Sequence, residues 1–467
     1  MHFGIRGRIL GVCSKNLAAT GVETFGDALR SSSWNIRSDA KDYAGKYQGM
    51  NGLYICYFGL REPLVQSQVV PYLRELAAAG IDLTLLTFEP KNPIWSSAEC
   101  QQWRESLRKQ GIRWISLRYH KFPSLPATIY DILLGNLVSC YLVVKYRIDV
   151  IHARGHVPTA MALLARMLGL ANLIFDIRGF MPEEYIDAGV WPAGGALYRI
   201  TKVVERRLLA ASDAFVVLTH RAREILFPGC SMTDPMGRPL EVIPCCVDMD
   251  RFGEATPGFR DSIRKKLNVN GRRVLAYAGA LGGWYLSSEM ADFIALAHER
   301  DPTIFALVLT QSAIQAESFK SRLGQLGLSP GDYRVGTVSP NEVPDYLAAA
   351  DFAFCFIKPG YSKLSSSPTK IGEFLASGLP VLCNVGIGDT DELLVTNRVG
   401  VLVETFGRRS YIRALHDLDV LAADISLRQR CRAVARRYFD LGTIGSARYH
   451  RLYVRVNKRR GQSEMAN

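Results

Sequence analysis

The segment 365–384 holds the residue types best suited to chemistry in this chain: Ser365, Ser366, Ser367, Pro368, Thr369, Lys370 and, about one helical turn further on, Glu373. Its pattern predicts a loop, then a helix, then a buried strand. Ser365 to Ser367 offer capping hydroxyls, and Pro368 suits the first helical position. Ile371, Phe374 and Leu375 give an apolar face at helical spacing. Gly378 stops the helix, and Pro380 opens an apolar run. The free N–H groups of a helix N-terminus seat phosphate. A cation in that first turn gains nothing from the helix dipole, so Lys370 points to an anion. Glu373 lies within reach of whatever the phosphate carries. A sugar nucleotide fits: its diphosphate at the N–H groups with Ser366, Ser367, Thr369 and Lys370, its ribose hydroxyls on Glu373. A surface helix with an ordinary serine cap and a solvated lysine has the same pattern, so the rest of the chain must decide.

From residue 52 the chain alternates apolar runs with helical patterns. The runs 53–58, 83–88, 113–117, 150–153, 173–177 and 215–218 read as strands, and 64–79, closed by Gly80, reads as an amphipathic helix. The segment 241–252 breaks the rhythm. It then restarts at 274–277, 304–309, 333–335, 352–357, 381–384 and 401–403. Such alternation predicts an α/β protein with two Rossmann-like doubly wound domains facing a central cleft. The expected divisions are a poorly ordered extension over 1–50, domains over 51–252 and 253–430, and, over 431–467, a C-terminal helix packing back on the first domain with a basic tail. Ligands bind such sheets at the C-terminal ends of the strands. Asp176 and Arg178 fall at one such end, expected to face the cleft. They read either as a structural ion pair or as groups that position an acceptor hydroxyl and a leaving phosphate. His152 and His156 flank another strand end, as bases or as hydrogen-bonded structural residues.

At 467 residues the chain is too long for one core. Its 48% hydrophobic and 22% charged residues are ordinary for a globular protein. Ten scattered cysteines with no C-x-x-C pair predict reduced thiols in a cytosolic protein, and no Asp-x-Asp in a suitable loop calls for a metal. The net charge of +13 predicts an anionic partner. No aromatic RNA-binding strand, zinc finger or basic zipper accompanies Arg206–Arg207, Arg436–Arg437 or the cluster 458–460, which sets nucleic acid aside. An anionic membrane surface and a merely solvated basic face both remain. The longest apolar stretch, 129–144, is short and carries Asp131 and Asn136, so it reads as a core or interfacial helix and not a span. Residues 1–20 carry Arg6, Arg8 and Lys15 without an acid, a faint transit-peptide pattern lacking a secretory apolar region. A poorly ordered extension, or an artefactual start codon upstream of Met50, is the favoured reading. The expected location is cytoplasmic, peripheral on the inner face of the membrane.

Several segments carry a likeness to a known family: 243–252 (with Asp248, Asp250, Arg251 and Phe252), 277–283, 336–339 followed by 343–347, and 368–381. In this order, over 52–456, the chain resembles a retaining glycosyltransferase of the GT-B fold, within glycosyltransferase family 4. The resemblance implies a metal-independent hexosyltransferase moving a sugar from a nucleotide diphosphate sugar to an acceptor hydroxyl. The nucleotide sugar is the co-substrate, with no other cofactor. The acceptor would bind the first domain and the donor the second, where Gly282, Gly283, Thr337 and Val338 join the donor site. A glycan or lipid-linked acceptor of surface polysaccharide or glycoconjugate synthesis is implied. Asp176, Arg178 and Glu373 are the implied catalytic residues.

The chain also departs from that family. Of two glutamates often found eight residues apart, Glu373 matches the second and Ser365 stands in place of the first. Ala280 and Tyr285 fall where an arginine and a lysine are usual. Lys370 is then the first candidate for the diphosphate, with Lys358, Lys363 and Arg178 after it. Two other classes stay open. A GT-B epimerase or phosphorylase is disfavoured by chain length and by the lack of a cofactor-lysine motif. A non-catalytic binding or scaffold protein derived from a glycosyltransferase is favoured by the missing residues.

Overall fold

The computed structural model describes residues 49–91, 94–253 and 255–465, with side chains to residue 457. The expectations for 1–48 and for the basic cluster 458–460 lie outside these descriptions. The first sheet has seven parallel strands: β1 (Asn51–Cys56), β2 (Asp82–Glu89), β3 (Ile112–Arg118), β4 (Val150–Arg154), β5 (Asn172–Ile177), β6 (Ala214–Val217) and β7 (Leu240–Val242). Their order is β3-β2-β1-β4-β5-β6-β7. The second sheet has six: β8 (Arg273–Ala278), β9 (Ile304–Thr310), β10 (Tyr333–Thr337), β11 (Phe352–Cys355), β12 (Val381–Asn384) and β13 (Gly400–Val403), in the order β10-β9-β8-β11-β12-β13. Both orders reverse beside their first strand, which opens a crevice at the strand C-terminal ends. The central strands are apolar along their length because helices cover both faces; β9 is buried at every residue.

Three elements differ from the sequence expectation. The helix expected over 64–79 is two, Pro63–Gln68 and Val70–Ala78, broken at Val69, whose φ is −126°. Pro71 has no N–H to continue the ladder across that point. The apolar stretch expected over 129–144 is part of a longer helix, Ser124–Tyr146. By length and composition it is the one such helix among the described residues able to cross a membrane. Its polar interruptions face inward: buried Asp131 accepts hydrogen bonds from the Tyr57 hydroxyl (2.7 Å) and the His120 N–H (3.0 Å).

The third difference is where the chain returns. Leu427–Phe439 packs on Thr369–Ala376 and belongs to the second domain's core. The crossing comes after it, where Val247 N–H donates to the Phe439 carbonyl (2.7 Å) and Leu441 N–H to that of Val247 (3.0 Å). The last helix, Ala447–Met465, then enters the first domain, with Tyr449, Leu452, Tyr453 and Val456 in one core with Tyr54 and Ile174. The described cysteines form no disulfide, and Cys56, Cys245, Cys246, Cys355, Cys383 and Cys431 are buried.

Candidate functional site

A cavity of about 470 Å³ opens between the two sheets. The first domain contributes Arg61, Gln66, Gln68 and Arg74 from the broken helix and its approach. The connection between domains contributes Asp248 and Arg251. The second domain contributes Gly279 after β8, Thr310 and Gln311 at the end of β9, Val338 after β10, and Thr369 and Glu373 from the helix Thr369–Ala376. A larger recess of about 650 Å³ lies between outer helices of the second domain, lined by Glu289, His298 and Tyr411 among others. The strand-end cleft is the better site, because there the polar groups converge at the crevice of both sheets.

Three buried polar atoms lining the cleft lack a protein partner: Gln68 Oε1, Arg251 Nε and Thr310 Oγ1. Buried polar groups are normally satisfied, so a cluster of exceptions marks a place for water or ligand. Glu373 sits one turn into its helix with no hydrogen bond to its carboxylate among the described residues. Burial pushes its pKa up, while Arg251 and Lys370 pull the other way. Asp248 takes the N–H groups of Asp250 (3.1 Å) and Arg251 (3.4 Å). Among the described residues no three His, Cys, Asp or Glu side chains are placed together to hold a metal.

Lys370 runs back beneath Gly279 and is 7% exposed. Its Nζ donates to the Tyr277 hydroxyl (3.0 Å) and lies 3.4 Å from the centre of the Tyr285 ring. Tyr285, at a position where the family resemblance expects a cation, is instead the aromatic seat for one. Burial works against the charge, but the Cys355 thiol and the Tyr277 and Tyr285 phenols outweigh it and hold the ammonium above its ordinary pKa. No carboxylate pairs with it among the described residues. Gly279 makes this approach possible: its φ is +144°, and a Cβ there would lie 2.5 Å from Lys370 Nζ.

The serines do not cap the helix. Its cap position is Pro368, with no side-chain bond. Ser365 is buried in a 3₁₀ turn, Tyr361–Ser365; its Oγ accepts the Phe180 N–H (3.0 Å) and donates to the Ser362 carbonyl (2.7 Å). Ser367 Oγ accepts the Cys245 N–H (3.1 Å). Ser366 and Ser367 line a separate small cavity with His220, Asp389 and Arg448. The Ser365 and Ser367 hydroxyls join the domains, because the segment before the helix docks on the first domain. Lys358 and Lys363 are committed there too, Lys358 Nζ donating to the Asp187 carbonyl (2.8 Å) and Lys363 Nζ to Glu184 (3.2 Å). Gly282 and Gly283, with positive φ, shape the turn to Tyr285 and are not among the cleft-lining residues, and neither is Thr337.

Asp176 does not line the cleft. It is fully buried, close to His152 (3.4 Å), Arg154 (3.8 Å) and Arg178 (3.5 Å), and it accepts the Tyr449 hydroxyl (3.1 Å). Burial opposes its charge, but Arg178, His152 and Arg154 hold its carboxyl far below the usual range. Arg178 also donates to Cys245 Sγ (3.2 Å). His152 meets the Tyr453 hydroxyl (3.1 Å), and burial pushes its pKa down. His156 pairs with Glu205 (3.0 Å). The Asp176 network thus fastens the last helix to the sheet and offers no base to an acceptor.

Among the cleft residues not singled out as ligands from sequence are Gln68, Arg251, Gly279 and Thr310. A glutamine on the apolar stripe of a helix, and a threonine ending an otherwise apolar strand, are the signals that could have found two of them.

Residues 65–227 match the family described as glycosyl transferase 4-like domain. No curated protein matches the chain closely enough to count as a relative. Among solved structures, a glycosyltransferase from Rickettsia africae superposes with a TM-score of 0.63 at 14% identity, covering 87% of this chain and 97% of that one. HepE of Anabaena, in complex with UDP and glucose, gives 0.60 at 15% identity, covering 87% and 100%. Sucrose-phosphate synthase from Thermosynechococcus elongatus gives 0.63 at 16% identity, covering 87% and 99%. The fold is GT-B, two Rossmann-like domains about a cleft.

Proposed function

We propose that this chain transfers a sugar from a nucleotide diphosphate sugar to an acceptor hydroxyl, with retention at the anomeric carbon. The observation that carries the reading is the pairing, on one short helix at the cleft, of Glu373 without a hydrogen-bond partner and Lys370 without a counter-carboxylate. Lys370 lies beneath the cleft wall at Gly279 and does not itself line the cleft; held by two tyrosines and, among the described residues, by no carboxylate, it keeps a net positive charge there that a diphosphate would answer. The donor's ribose hydroxyls would donate to Glu373. Arg251, whose Nε lacks a partner, and Lys370 would hold the diphosphate as it leaves. Fixed charge aimed at a developing anion is commonly the largest catalytic contribution, and this reading calls on no metal.

The acceptor would enter from the first-domain side, past Arg61, Gln66 and Arg74, and a glycan or lipid-linked hydroxyl suits that open wall. HepE, a structural neighbour that holds UDP and glucose, supports the donor class. Ser365 is withdrawn into the domain contact, so the sugar must be read by other groups, of which Gln68 and Thr310 are the unsatisfied ones. The test is equilibrium binding of nucleoside diphosphates and their sugars to the wild type and to Glu373→Gln.

A further inference from the structure

The helix Ser124–Tyr146 turns Leu125, Ile129, Leu133, Leu137, Tyr141 and Val144 outward, each between 49% and 66% exposed. Steps of four, four, four, four and three residues align them in one row, about 28 Å long at ~1.5 Å per residue. The row is not isolated. Helix His156–Met167 packs beside it, and helix Ala196–Ala211 packs beside that one. Their outer sides add Met167, Leu168, Ile200 and Val204, all exposed. Scattered surface leucines need no explanation, but a row of six exposed apolar side chains on one helix, with more on the two helices packed in sequence beside it, marks an interaction surface.

The row cannot leave the domain to span a bilayer. Asp131 on its inner side is held by Tyr57 and His120. Asn136 Nδ2 donates to the Ala160 carbonyl (2.8 Å), and its Oδ1 accepts the Leu164 N–H (3.0 Å). Gly135 fits against Met161 so closely that a Cβ would lie 2.6 Å from the Met161 side chain.

Charge selects the occupant. Over 121–147, 156–168 and 196–211 the only acids are Asp131 and Glu205, both buried. Lys121, Lys145, Arg147, Arg199, Arg206 and Arg207 in the same segments are exposed. A second copy seated here would set cation against cation. An anionic bilayer takes both the apolar row and the cations, as in-plane helices with basic flanks do.

We propose that this face binds the surface of an anionic lipid bilayer, with the Ser124–Tyr146 helix lying in the interface. Tyr57 and His120, which hold its first half, follow the ends of β1 and β3 on the cleft side. A hydroxyl carried by a lipid would therefore arrive at the cleft rim; that consequence rests on the sugar-transfer reading, while bilayer binding does not.

The test is flotation of the full chain with phosphatidylcholine vesicles, with and without phosphatidylglycerol. Wild type should float with the anionic vesicles, less so as salt rises. A Leu133→Glu, Leu137→Glu double variant should lose vesicle affinity by about a hundredfold, since each leucine forfeits its burial in the interface. Its melting temperature should not change, because both side chains are exposed. Wild type that ignores anionic vesicles at low salt overturns the proposal, as does a folded double variant that floats like wild type. So does a wild-type dimer that the variant dissociates while neither floats. Should the double variant not fold, Leu137→Trp decides. Its emission should be quenched by brominated lipid beyond the wild-type level, and an unquenched tryptophan overturns the proposal.

Discussion

Replacing Asp176 by asparagine separates a structural role from a catalytic one. The carboxylate has no exposure and faces His152, Arg154, Arg178 and the Tyr449 hydroxyl. Asparagine keeps an oxygen for Tyr449 but leaves the buried Arg154 and the part-buried Arg178 without their counter-charge. Removing one member of a buried charge set costs about 3–5 kcal/mol. At roughly 2–4 °C per kcal/mol for a domain of this size, the first domain should melt about 10 °C lower. Trp95, Trp103, Trp114 and Trp191 lie in that domain, and Trp284→Phe removes the signal of the second, so that tryptophan emission is weighted to the first domain's unfolding.

The pH dependence has a definite sign. The folded Asp176 carboxyl is held below its unfolded value, so its contribution is complete above about pH 4 and fades as pH falls below that. Burial lowers the pKa of His152, so the unfolded chain takes up that proton first, below about pH 6.5, and stability falls in the same direction. Wild type should lose stability from about pH 6.5 downward and faster below about pH 4; Asp176→Asn should lose less below about pH 4 than wild type, the remainder coming from Glu205, Asp301 and Asp332, whose carboxyls are also held down. A variant that melts within about 2 °C of wild type, a shift worth less than 1 kcal/mol, yet has lost turnover would refute the structural assignment.

Two further substitutions probe the cation under the cleft. Lys370→Met should weaken binding of a nucleoside diphosphate at least about tenfold while leaving the nucleoside nearly unaffected, as expected for loss of a charge-assisted contact worth about 1.5–3 kcal/mol; equal losses in calorimetry would make Lys370 a packing residue. Gly279→Ala puts a Cβ 2.5 Å from Lys370 Nζ and strains a backbone of φ +144°, so it should reproduce the diphosphate defect, and undiminished affinity in the same titration would show that Lys370 acts from elsewhere.

The sheets were legible because each strand is a local apolar run and each crossover a local helical pattern. The helix Thr369–Ala376 was legible for the same reason, and so was the nearness of Lys370 and Glu373 on it. What surrounds a strand end is not local. Asp176 reads as a cleft residue until Tyr449, 273 residues away in sequence, covers it. Ser365, Ser366 and Ser367 read as caps until Ser365 and Ser367 turn their hydroxyls to the N–H groups of Phe180 and Cys245. The outer face of Ser124–Tyr146 was read by composition alone, and two inward-facing polar residues made it look shorter and more buried than it is.

The central claim is that the cleft binds a nucleotide sugar through Glu373. Its most direct measurement is calorimetric titration of uridine diphosphate, other nucleoside diphosphates and their sugars into wild type and Glu373→Gln. Burial raises the Glu373 pKa, so its neutral isostere should melt at or above the wild-type temperature, and lost affinity cannot then be ascribed to misfolding. At least one nucleotide sugar should bind the wild type, and Glu373→Gln should bind it ten- to a hundredfold more weakly or worse, the loss of one or two hydrogen bonds of about 1.5–3 kcal/mol each. Failure of every nucleotide sugar to bind wild type, or equal affinity in the folded variant, would contradict it.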